Sequence, residues 1–105
     1  MMTLRSVRAL TYFSAILPNQ MNKCDKLVNK AKSSPNNLSF AEVCYLAECH
    51  GFAYKRTTGS HFIYEHPNLL AEQNRNLNFQ NVNGKVKPYQ VRQLLKAIKF
   101  LQYGK

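Results

Sequence analysis

The sequence predicts an α+β sandwich, with three antiparallel strands, two helices packed on one face of the sheet, and a short extra helix in front. Three observations carry that reading: a complete helix-start signal at Ser39, two strand-like segments on either side of Gly59, and an apolar stripe at helical spacing after Pro88. The 105 residues, 45% of them apolar, suffice for one core, and they exclude a disordered basic tail or a second enzyme-sized domain.

Residues 1–20 stand apart from this core. Arg5 and Arg8 precede the short apolar stretch from Ala9 to Leu17, and Pro18 ends it, which faintly imitates a secretion signal. No small-x-small cleavage site follows cleanly, and the cysteines do not form the even framework of a small secreted domain. Residues 1–20 therefore read as an N-terminal extension, either a disordered arm or a start-site artefact. Met21 opens the single folded domain, residues 21–105.

From Met21 to Lys32, Leu27, Val28 and Ala31 recur at helical spacing with Asp25 early, where an acid suits the helix dipole. Ser33-Ser34-Pro35-Asn36-Asn37 stops that helix. Ser39 then offers an N-cap, Glu42 closes a capping box, Leu38 can staple onto Val43, and Gly51 stands where a left-handed C-cap is wanted, so residues 39–50 form a helix. Residues 52–57 and 60–65 have strand composition, with Thr58-Gly59 as the turn between them. Pro67 opens a polar loop over residues 67–76. Leu77 to Val82 alternates at period two as a third strand, and Asn83-Gly84 turns the chain out of it. Pro88 begins the last helix, residues 88–102, in which Val91, Leu94, Leu95, Ile98 and Leu101 form the buried stripe and Arg92, Lys96 and Lys99 the opposite face.

Fifteen Lys and Arg against five Asp and Glu give a formal charge of +10. The last acid is Glu72, so the C-terminal third is an uncompensated cationic block. Such a field draws phosphate backbones, anionic membrane surfaces or an acidic protein. No apolar run approaches the roughly 18 residues of a membrane span.

Cys44-x4-Cys49-x11-His61-x4-His66 approximates a zinc-finger spacing. Two cysteines five apart on one helix point about 140° away from each other, however, and tetrahedral ligation needs converging side chains. Cys44 reads instead as a small buried hydrophobe and Cys49 as a partly buried thiol. Three cysteines, an odd number, suit a reducing compartment, the cytoplasm. Neither a nucleophile elbow nor a phosphate-cradling glycine loop occurs, which excludes the common hydrolases and nucleotide-dependent enzymes. What remains is Thr58 to Pro67, in which a glycine turn presents His61 at the start of a strand on a basic protein. A histidine there can hold or move a proton near neutral pH, although a lone strand histidine is more often structural.

The run Gly59-Ser60-His61-x-Ile63-Tyr64-x-His66-Pro67, preceded by His50-Gly51-Phe52 and followed by Asn81-Val82-x-Gly84-Lys85-Val86-Lys87-Pro88-Tyr89-Gln90-Val91-Arg92-Gln93-Leu94-Leu95, resembles the HicA (YcfA-like) toxin family of bacterial type II toxin–antitoxin systems. The resemblance covers roughly residues 38–102. It implies a double-stranded-RNA-binding-domain-like α-β-β-β-α fold and a small ribonuclease that cleaves mRNA, arrests translation and is neutralised by a HicB-like, acidic antitoxin. The alternative is a non-catalytic RNA-binding module.

The resemblance places the catalytic histidine on His61, with Gly59 and Ser60 in the turn before it. Phe62 stands where a second histidine is common, which leaves Tyr64, a nearby lysine or substrate oxygens as the second acid–base group. Lys85, Lys87, Arg92 and Lys96 are the expected RNA-phosphate contacts, with Lys99 a weaker one. No cofactor is expected, and a metal-free route follows from the lack of a carboxylate cluster to hold magnesium. His66 is expected to be structural or to lie at the rim, His50 to cap its helix, and Tyr54 and Phe62 to be core residues before base-stacking ones.

Overall fold

The computed structural model describes residues 22–103. Its elements are α1 (Lys23–Ser33), a 3-10 turn at Pro35–Asn37, α2 (Phe40–Cys49), β1 (Ala53–Thr58), β2 (His61–Glu65), a 3-10 turn at Ala71–Gln73, β3 (Asn76–Gln80) and α3 (Pro88–Tyr103). This is the mixed α+β architecture expected from the sequence, and the extra helix in front is α1. The expectations for residues 1–20 lie outside the described residues.

Helix α2 begins as its sequence requires. Ser39 Oγ accepts from the Glu42 backbone N–H at 3.0 Å while Glu42 Oε1 accepts from the Ser39 N–H at 2.9 Å, so two otherwise orphaned donors are satisfied. Leu38 and Val43, the staple pair, are both fully buried. Gly51 has φ +92°, and a Cβ there would stand 2.7 Å from the ring of His66, so the position needs glycine twice over. Helix α1 starts on Asn22, whose side chain accepts from the Asp25 N–H. It runs antiparallel to α2 and is tied to it by a Cys24–Cys49 disulfide and a Lys30–Glu42 ion pair of 3.1 Å. The disulfide corrects the reading of Cys49 as a thiol and takes away the argument from cysteine count for a reducing compartment; Cys44 alone is free. The two cysteines are 25 residues apart on different helices, so only the packing of α1 on α2 brings them together.

The sheet order is β1-β2-β3, antiparallel throughout. The hairpin turn is Gly59-Ser60 rather than Thr58-Gly59, because Thr58 still pairs with His61. Gly59 alone of the two has positive φ, as in a primed turn with glycine first, whose twist suits a two-residue hairpin. β1 is exposed along its whole length and carries a bulge between Tyr54 and Arg56. Tyr54 is therefore 50% exposed, not a core residue, although its ring edges against Tyr64. Phe62 is half-buried against Phe40, as a core residue should be. β3 stops at Gln80; Val82 is exposed and pairs with Lys85 across the left-handed Asn83-Gly84 turn. The polar loop after Pro67 is anchored in the core by Leu69.

Each pair opposed across the ladder shares one side of the sheet. Phe62, Tyr64, Leu77 and Phe79 face the helices and join Leu46, Val43, Val91, Leu94 and Ala97 in one core. Fully burying an apolar side chain of this size contributes roughly 1.5–3 kcal/mol. The buried Gln90 clamps the start of α3 to the sheet, its Oε1 accepting from the Gln80 N–H at 3.0 Å. Helix α1 packs against α2 and α3 and makes its main contacts there, not on the sheet.

Candidate active site on the open face of the sheet

The ladder that points Phe62 and Tyr64 inward points His61 outward. His61 stands opposite Thr58 on β1 and Gln80 on β3, and Ile63 opposite Arg56 and Asn78. Among the described residues this side of the sheet carries no helix, so it is an open polar face.

Asn78 orients the imidazole of His61. Its Oδ1 lies 2.9 Å from Nδ1, and a carbonyl oxygen only accepts, so Nδ1 carries the proton and donates. The lone pair of the neutral ring is thereby assigned to Nε2. Ser60, at the hairpin tip, accepts from Gln80 Nε2 at 3.4 Å, and its carbonyl accepts from the Asn81 N–H at 3.1 Å. Asn81 Oδ1 in turn accepts from the Gly84 N–H at 2.8 Å, so the hairpin tip and the Asn83-Gly84 turn are stitched together. Lys85, two residues beyond Asn83, is thus held at the His61 end of the sheet, and Lys87 follows just before α3. Both are exposed. Tyr89, at the same end, is 51% exposed and accepts from Gln90 Nε2.

The expected site residues fall into two groups. Gly59, Ser60, His61, Lys85 and Lys87 are gathered at one end of the sheet. Arg92 and Lys96 project from the solvent side of α3, whose buried side rests on the inner face of the sheet; they point away from His61.

Tyr64, one of the candidates for a second acid–base group, stands on the other side of the sheet from His61. It lies on the inner face, 5% exposed, and its hydroxyl donates to Glu48 Oε2 at 3.4 Å. Burial, with Cys44 and Glu48 beside it, pushes the phenol above its ordinary value. Position 62 also faces inward, so the phenylalanine found there takes no place on the side of the sheet where His61 stands.

The other two histidines are structural. His66 is buried, its Nε2–H donating to the His50 carbonyl at 2.9 Å and its Nδ1 accepting from the Asn68 N–H at 3.0 Å, so both nitrogens are used. His50 caps α2, its Nδ1–H donating to the Leu46 carbonyl at 3.0 Å. Among the described residues, no three His, Cys, Asp or Glu side chains converge on a metal position. No described helix is long and apolar enough to cross a membrane.

Two residues of the open face were missed by the sequence reading. Asn78 carries no motif signal, since its role appears only when β3 pairs with β2. Arg56 is diagonal to His61, about 7–8 Å away across the ladder. It is exposed and belongs to no ion pair among the described residues. A register counted from a Gly59-Ser60 turn would have placed it there.

A family model described as the HicA toxin of bacterial toxin–antitoxin matches residues 40–100, more than half of the chain. The match takes in α2, the whole sheet and most of α3, and it leaves α1 outside. No curated protein and no solved structure matches the chain.

Proposed function

The chain belongs to the HicA toxin family of bacterial toxin–antitoxin systems, and from that membership we propose that it is an endoribonuclease that cleaves mRNA and arrests translation, with His61 as its general acid–base. The observation that carries the proposal is the His61–Asn78 hydrogen bond, which fixes the imidazole through Nδ1 and leaves the lone pair on Nε2.

In this reading Nε2 takes the proton of a ribose 2′-hydroxyl, and the 2′-oxygen attacks the adjacent phosphorus. The bond from phosphorus to the 5′-oxygen breaks, and the imidazolium returns its proton to that leaving oxygen. The products are a 2′,3′-cyclic phosphate and a 5′-hydroxyl. Positioned proton transfer of this kind contributes roughly 10²–10⁴-fold. Lys85 and Arg56 stabilise the charge that develops on the phosphate oxygens. Gly59 and Ser60 let the backbone approach closely, and Lys87 extends the phosphate contact toward Tyr89. Arg92 and Lys96 contribute through the long-range field that attracts RNA, not by contact at the reacting phosphate.

The family implies a cognate antitoxin. We assign it as an acidic, HicB-like protein that neutralises the toxin by covering Lys85 and Lys87 together with His61. The test is to incubate the purified chain with single-stranded RNA in excess chelator and identify the ends produced. Cyclic phosphate and 5′-hydroxyl ends are expected. Binding without cleavage would make the protein an RNA-binding module, and 5′-phosphate ends would refute the 2′-hydroxyl route.

A further inference from the structure

A groove of about 920 Å³ runs between α1 and α3, on the helical side of the molecule and away from the open face that carries His61. Its floor is apolar, formed by the half-buried Val28, Leu95 and Phe100. Its rim is cationic, formed by Lys32, Lys96 and Lys99. No acid lines it, and none of the three lysines is in an ion pair among the described residues. Val28 and Lys32 are one helical turn apart on α1, and Lys96 and Lys99 nearly one turn apart on α3, so floor and rim run along both helices together.

We propose that this groove docks an acidic amphipathic helix of a protein partner. Charge complementarity selects that occupant. Residues 1–21 carry Arg5 and Arg8 and no acid, and a second copy brings another +10, so both meet the lysines with like charge. RNA would use the lysines and leave the apolar floor exposed. A helix with acids on one side and leucines or their like on the other satisfies rim and floor at once, in the helix-in-groove mode with anchors one turn apart. The groove is also built before the partner arrives, because the Cys24–Cys49 disulfide and the Lys30–Glu42 ion pair hold α1 in place. Its α1 wall, with Val28 and Lys32, lies outside the family match at 40–100. This surface is therefore separate from the catalytic reading and does not depend on it.

The test is fluorescence anisotropy on the full chain with a labelled synthetic helical peptide, glutamates on one face and leucines on the other. A peptide of the same composition in shuffled order serves as control. Saturable binding of the amphipathic peptide alone is expected, weakened roughly tenfold or more by Lys32→Glu with Lys99→Glu and also by Val28→Asp. His61→Ala should leave the peptide affinity unchanged. No saturable binding, equal binding of the shuffled peptide, or indifference to the charge-reversed pair would overturn the proposal. So would loss of peptide binding in His61→Ala, which would put the peptide on the catalytic face. A charge-reversed pair that loses affinity for single-stranded RNA while keeping the peptide would assign the groove to nucleic acid and overturn it equally.

Discussion

Replacing Asn78 by leucine removes the acceptor for His61 Nδ1 while keeping the side chain's size. The bond lost is one neutral N–H···O contact of 2.9 Å on an exposed face. Such a bond is worth about 1 kcal/mol net in water, or about fivefold when it acts on the reactive population of the ring. Under the proposed reaction the effect belongs in kcat, because there Asn78 orients the base and does not hold substrate. KM should change little, and the folded state should lose less than about 0.5 kcal/mol, as for other solvent-facing substitutions. Single-turnover cleavage of a labelled RNA, with a urea melt of each protein, reads all three quantities. Asn78→Asp keeps the acceptor oxygen and should retain most of the rate. The reasoning is refuted if Asn78→Leu cleaves at the wild-type rate, or if Asn78→Asp is as impaired as Asn78→Leu.

Other outcomes follow from the same geometry. Tyr64→Phe should cleave RNA as the wild type does, since the hydroxyl lies on the inner face against Glu48; a loss as large as that of a His61 variant would contradict the assignment of faces. Reducing Cys24–Cys49, or replacing Cys24 by serine, should lower stability by about 3–4 kcal/mol on the chain-entropy estimate for residues 25 apart, and a thermal melt unchanged by reductant would contradict it. The carboxyl of Glu42 is held below its ordinary value, first by the Ser39 backbone N–H and then by Lys30. A depressed folded-state value stabilises fully above the unfolded-state value and loses that contribution as pH falls through the folded one. The wild type should therefore exceed Glu42→Gln in stability at neutral pH, with the gap closing on acidification; a gap that widens in acid has the wrong sign.

What could be read from residue types was what is local. The Ser39–Glu42 capping box needs only neighbours three apart, and it stands as expected. The stripe on α3 and the alternation of Leu77 and Phe79 repeat at the period of their own element, so they too were legible. The open face was harder, because it depends on register. Placing the turn one residue early left Arg56 misplaced, and without a face for each strand residue Tyr64 remained a candidate beside His61. The bulge after Tyr54 hid that ring's exposure, since it breaks the alternation on which a core reading rests. Asn78 and the Cys24–Cys49 pair were out of reach for the same reason. Each acquires its meaning from a residue 17 or 25 positions away, and nothing in the chain between them records the approach.

The central claim rests on one side chain, and His61→Ala tests it most directly. The variant should keep the wild-type fold by circular dichroism, because the ring stands on the open side of the sheet and its hydrogen bond goes to Asn78. RNA cleavage should fall by roughly 10²-fold or more, and growth inhibition on expression without antitoxin should disappear. A folded His61→Ala protein that still cleaves RNA and still arrests growth would contradict the account.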